Sequence, residues 1–87
     1  MAEQILIVDD DTRLSAMLSD YLSGSGYATR TAASALAGLD EIRRNPPDAV
    51  ILDVMLPDLD GFETCRRIRA TSDVPILMLT AKGEETD

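Results

Sequence analysis

Three short aliphatic runs, each stopped abruptly by a polar residue, constrain this chain more than any other feature. They are Ile5-Leu6-Ile7-Val8 before Asp9-Asp10-Asp11, Ala49-Val50-Ile51-Leu52 before Asp53, and Pro75-Ile76-Leu77-Met78-Leu79 before Thr80. Unbroken aliphatic runs without polar alternation are what strands buried on both faces of a parallel sheet require, so these read as central strands. The stretch from Tyr27 to Thr31 alternates more and follows the turn Ser23-Gly24-Ser25-Gly26, which predicts a strand at the sheet's edge.

Helical spacing fills the gaps between these strands. Leu14, Met17, Leu18, Tyr21 and Leu22 recur at i, i+3, i+4, i+7 and i+8, with Asp11 or Thr12 able to cap the start. Ser34 can cap a second helix with Leu36, Leu39 and Ile42 inward, ended by Asn45-Pro46-Pro47. A third helix is predicted from about Phe62 to Ala70, burying Phe62, Cys65 and Ile68 and exposing Arg66, Arg67 and Arg69, with residues 84–87 opening another. The order βαβαβαβ implies a parallel sheet with right-handed crossovers and helices on both faces. At 87 residues there is room for one domain.

The side-chain inventory excludes several chemistries. With no histidine there is no imidazole base and no Ser-His-Asp arrangement; with one cysteine, Cys65, there is no internal disulfide and no thiolate zinc cage. Sixteen acidic residues against eight basic ones leave a net charge of -8, the wrong sign for tracking a phosphate backbone. No apolar stretch approaches the ~20 residues of a membrane helix, so no membrane partner is expected. Met1-Ala2-Glu3-Gln4 lacks the basic start of a secretory signal, and a cytoplasmic location is the expectation.

In open α/β sheets ligands bind beyond the carboxyl ends of the strands, where the strand order switches direction. Here those ends carry Asp9, Asp10, Asp53 and Thr80. Two carboxylates ~4 Å apart repel by about 4 kcal/mol at an effective dielectric of 20, and a hard divalent cation such as Mg²⁺ relieves that repulsion. Asp11 can be explained as a helix cap, and Asp10 could be, but Asp53 is followed by Val54-Met55-Leu56-Pro57 and has no helix to cap.

These motifs, Ile-Leu-Ile-Val-Asp-Asp-Asp, Ile-Leu-Asp-Val-Met-Leu-Pro-Asp-Leu-Asp-Gly and Pro-Ile-Leu-Met-Leu-Thr-Ala-Lys-Gly, resemble the receiver domain of bacterial two-component response regulators. The wording is most similar to the OmpR/PhoB class, whose receivers precede a winged-helix DNA-binding domain. The resemblance implies a flavodoxin-like (CheY-like) doubly wound sheet of order 2-1-3-4, here without the family's fifth strand, and makes residues 1–87 the N-terminal portion of a receiver. It further implies that Asp53 is the phosphoacceptor, served by a sensor histidine kinase. Asp10 and Asp9, with Asp53 and the backbone carbonyl of Met55, would hold Mg²⁺, Thr80 would be the switch hydroxyl, and small Ala81 would leave room beside the phosphoryl group. The family's phosphate-pairing lysine would lie beyond Asp87, and Lys82 is not its equivalent. DNA would be reached only through an output domain outside these residues. A homodimer or larger assembly, through the strand-four edge or a domain swap, is expected of this length of chain.

Two other readings compete. Asp9-Asp10-Asp11-Thr12 after a strand also resembles the haloacid-dehalogenase phosphatases, with Asp9 as nucleophile, but Arg13 stands where Thr or Val is expected. A degenerate or truncated receiver serving only as a protein-binding module is the other. A beryllofluoride mimic on Asp53 rather than Asp9 separates receiver from phosphatase, and a Mg²⁺ titration separates an active acidic site from a degenerate one.

Overall fold

The computed structural model describes residues 2–79. The aliphatic runs become strands β1 (Gln4–Val8), β3 (Ala49–Asp53) and β4 (Ile76–Leu79), the alternating segment becomes β2 (Ala28–Ala32), and the helices are α1 (Thr12–Gly24), α2 (Ala35–Arg44) and α3 (Gly61–Arg69). All pairings are parallel and the sheet order is β2-β1-β3-β4. The chain steps from β1 to β2 in one direction and returns across β1 to β3 in the other, so the switch lies between β1 and β3.

Side chains on a strand alternate between faces, and that parity sorts the core into two layers. Leu6, Val8, Val50 and Leu52 point to one side, where Ala35 and Ile42 of α2 and Ile68 of α3 cover them. Ile5, Ile7 and Ile51 point to the other, against Leu18 and Leu22 of α1. Central strands β1 and β3 are thus buried on both faces, as their composition requires. Strand β4 departs from the central-strand expectation: among the described residues it pairs only with β3, none of its residues is buried, and Leu77 is 62% exposed.

The caps agree with the sequence. Asp11 accepts hydrogen bonds from the Arg13 and Leu14 N–H groups, both at 3.1 Å, and Ser34 Oγ accepts from Ala37 N–H at 3.2 Å. Gly26 closes the α1–β2 turn with φ +99°, a conformation that side chains disfavour.

Four residues expected on the inward stripes are corrected. Phe62 is 68% exposed, because α3 turns Gly61, Thr64 and Ile68 toward the sheet and Phe62 lies about 100° round the helix from Gly61. Leu36 is exposed, since α2 approaches the sheet through Ala35, Gly38 and Ile42. On α1 the stripe is wider than its contact: Leu14, Leu18 and Leu22 are half-buried, while Met17 and Tyr21 face outward. The sheet accepts only one edge of that stripe, next to buried Ser15.

Candidate functional site: an acidic cleft at the switch point

The strand register determines where the carboxylates meet. Val8 pairs with Leu52, so the next residues, Asp9 and Asp53, leave neighbouring strands side by side, with strands about 4.8 Å apart. They also share parity with Ile7 and Ile51, which places both on the α1 face of the sheet. Asp10 follows Asp9 into the β1–α1 loop. The three carboxylates offer oxygens that all lie within 4.8 Å of one another. Asp9 and Asp53 are buried and Asp10 is exposed, so the cluster has a fixed floor and an open mouth.

Both buried carboxylates are oriented by the backbone just after them. Asp9 Oδ1 accepts from Asp11 N–H at 2.9 Å, and Asp53 Oδ1 accepts from Met55 N–H at 3.1 Å. Each therefore keeps its other oxygen uncommitted among the described residues. Leu14 and Leu18 of α1, Asp11, Met55 and Leu79 complete a cleft of about 460 Å³. Burial pushes the Asp9 carboxyl above its ordinary value; the Asp11 N–H works against this, while the charges of Asp53, Asp10 and Asp11 add to it. No cationic side chain among the described residues lines the cleft.

That donor set suits a hard divalent cation. It consists of carboxylate oxygens, it is negative beyond what its surroundings offset, and it is open on one side to keep metal-bound water. Asp9, Asp10 and Asp53 are the carboxylates whose oxygens lie close enough together to share a metal ion, and Met55 lines the same cleft.

The expectation that Asp9, Asp10 and Asp53 converge on one pocket agrees with the geometry, and Met55 lines the same cleft. Thr80, Ala81, Lys82 and residues 84–87 lie outside the described residues; Leu79, the residue before Thr80, pairs in register with Asp53. Two residues, both within the motif that follows Asp53, were given no role at the site from the sequence. Gly61 N–H donates to the Val54 carbonyl at 2.9 Å and presses on the backbone of the site. Its signal was a glycine opening a helix directly after a capping Asp60, where a side chain would ordinarily be better. Asp58 bonds a different helix, and nothing local in the sequence could reveal that partner.

Parallel strands of four or five residues, a switch point between β1 and β3, and three convergent carboxylates define a doubly wound α/β domain with an acidic site at its switch point. The chain belongs to the response regulator receiver domain family, whose model matches residues 5–87. It is similar to the transcriptional regulatory protein AfsQ1 of Streptomyces coelicolor, 45% identical over 83 residues covering 95% of this chain and 37% of AfsQ1. It is also similar to the transcriptional regulatory protein BaeR of Escherichia coli, 46% identical over 84 residues covering 97% of this chain and 35% of BaeR. The chain thus spans little more than a third of the length of these relatives. Among solved structures it is similar to the chemotaxis response regulator CheY4 of Vibrio cholerae, with TM-score 0.90 at 32% identity, covering 98% of this chain and 76% of that one. No helix among the described residues is long and apolar enough to cross a membrane.

Proposed function

We propose that this receiver takes a phosphoryl group from the phosphohistidine of a sensor histidine kinase onto Asp53 and thereby controls an output, which the relatives' names suggest is transcription. The observation that carries the reading is Asp53 itself: a buried carboxylate ending an internal strand, with no helix to cap and two further carboxylates within 4.8 Å. In the transfer, a carboxylate oxygen of Asp53 forms a bond to phosphorus as the phosphorus–nitrogen bond to the kinase histidine breaks, and the electron pair leaves with the imidazole. The Met55 N–H holds Asp53 Oδ1, leaving the other oxygen directed to the reaction.

Phosphoryl transfer needs positioning and neutralisation of developing charge more than acid or base, so a pocket without histidine suffices. Asp9, Asp10, Asp53 and the Met55 carbonyl would hold Mg²⁺, which would supply that neutralisation. Asp11 steadies Asp9 through its N–H, while Leu14 and Leu18 wall one side against water. By resemblance, Thr80 is the hydroxyl that answers phosphorylation and Ala81 the small residue beside it. Binding to DNA belongs to an output domain outside these residues, and the setting is the cytoplasm. Self-phosphorylation from small phosphodonors and self-dephosphorylation are the only catalysis expected.

Beryllofluoride, which mimics an acyl phosphate, tests the reading together with kinase transfer. Modification at Asp53 and loss of labelling in Asp53→Asn are expected. Modification at Asp9 would instead favour the phosphatase alternative.

A further inference from the structure

The loop that brings Met55 to the acidic cleft is tied to a helix to which it does not belong. Residues 54–60 run from Asp53 to α3, and midway Asp58 reaches across to the start of α2. Its Oδ1 accepts from Ala35 N–H and its Oδ2 from Leu36 N–H, each at 2.9 Å, across 23 and 22 residues of chain. The first amides of a helix have no partners within it, and they form its positive end, which attracts a carboxylate. Ser34 Oγ takes the Ala37 amide. Using both oxygens on two adjacent amides sets the orientation of the Asp58 side chain as well as its position.

The remaining anchors of the loop lie on either side of Asp58. Gly61 N–H bonds the Val54 carbonyl at 2.9 Å, buried Leu56 enters the core, and Asp60 caps α3 through Glu63 N–H at 2.8 Å. Asp58 is the one of these anchors that hydrogen-bonds the loop to α2. A backbone carbonyl serves a cation only as well as its loop is held, because an unordered loop must be immobilised when the ion binds.

We infer that Asp58 is a positioning residue for the cation site: its clamp on the first turn of α2 pre-orders residues 54–60, the stretch that presents Met55 to Asp9, Asp10 and Asp53. The inference rests on the Mg²⁺ reading of that cleft. Coupling of this kind is reciprocal, so cation binding should in turn firm up the start of α2.

The test is a Mg²⁺ titration by calorimetry on the full chain and on three variants, Asp58→Ala, Asp58→Asn and Ser34→Ala, with amide hydrogen exchange at Ala35 and Leu36. Ser34→Ala removes the cap of the same helix end and leaves the loop alone. Asp58→Ala is expected to weaken Mg²⁺ binding about tenfold and Ser34→Ala by less than about twofold, although both lower the melting temperature. Mg²⁺ should slow exchange at Ala35 and Leu36 in the original protein and lose that effect in both Asp58 variants. Unchanged affinity in Asp58→Ala, or equal weakening by Ser34→Ala, overturns the inference; if Asp58→Ala does not fold, Asp58→Asn carries the same comparison. Absence of Mg²⁺ binding by the unsubstituted protein would overturn the cation reading itself, before any variant is compared.

Discussion

Gly61 lies directly against the backbone of Asp53: a Cβ at Gly61 would stand 2.8 Å from the Asp53 carbonyl oxygen and 2.4 Å from the Cα of Val54. The first residue of α3 is thus pressed onto the segment that carries Asp53. The backbone there has no flexible end to give way, so Gly61→Ala must move either α3 or the end of β3. A loss of about 2–3 kcal/mol is expected, together with weakened Mg²⁺ binding. Urea unfolding of the variant checks this, and an unchanged midpoint would mean that the contact relaxes freely.

Asp53→Asn should abolish phosphorylation by kinase or small phosphodonor. The phosphoryl group carried by the original should be lost at alkaline pH, as an acyl phosphate is. Undiminished labelling of the variant would move the acceptor elsewhere, with Asp9 the next carboxylate to examine.

Mg²⁺ at a hundred times its dissociation constant should add ~2.7 kcal/mol of stability by binding the folded state alone. Asp10→Ala should remove most of that increment. Because Asp10 stands among like charges, the substitution should raise metal-free stability by relieving repulsion on Asp9 and Asp53. Thermal melts with and without Mg²⁺ read both numbers, and equal stabilisation of variant and original would place the ion away from the cleft.

The acid limb of stability should depend on Asp58. Its carboxylate is held below the ordinary 3.8 by the Leu36 N–H first and the Ala35 N–H next. A lowered folded value contributes stability that is complete above 3.8 and lost as pH falls through the lowered value. Asp58→Asn should therefore melt below the original at neutral pH and converge with it under strongly acidic conditions. Asp9 acts with the opposite sign: its raised value removes stability as pH rises from 3.8 through the folded value. Parallel melting curves for Asp58→Asn and the original across the acid range would count against the two amide bonds.

A polypeptide of these 87 residues alone should self-associate. Among the described residues Ile76–Leu79 has a strand neighbour on one side only, and Leu77 on that strand is exposed. Pairing of two β4 edges, or exchange of elements between two chains, would cover both features. Sedimentation at micromolar concentration decides it: a cooperatively folding monomer would show that the edge is shielded within one chain.

The order of elements was legible in the sequence because each rests on neighbours a few residues apart. Aliphatic runs made strands, Asp11 and Ser34 made caps, and Asp9, Asp10 and Asp53 stood out because each ends or follows a buried strand. The strand order came by resemblance, since periodicity alone does not say which strands are neighbours, and the pairing of Val8 with Leu52 is what sets Asp9 beside Asp53. Which side of a helix meets the sheet was beyond the sequence wherever the apolar stripe is wider than the contact, as with Tyr21, Leu36 and Phe62. The same holds for Asp58 and Gly61. One finds its partners 22 and 23 residues back along the chain, and the other is required by a close approach of backbone to backbone. Local spacing encodes the elements; the bonds that hold this site in place span distances in sequence that only packing of the helices against the sheet brings to zero.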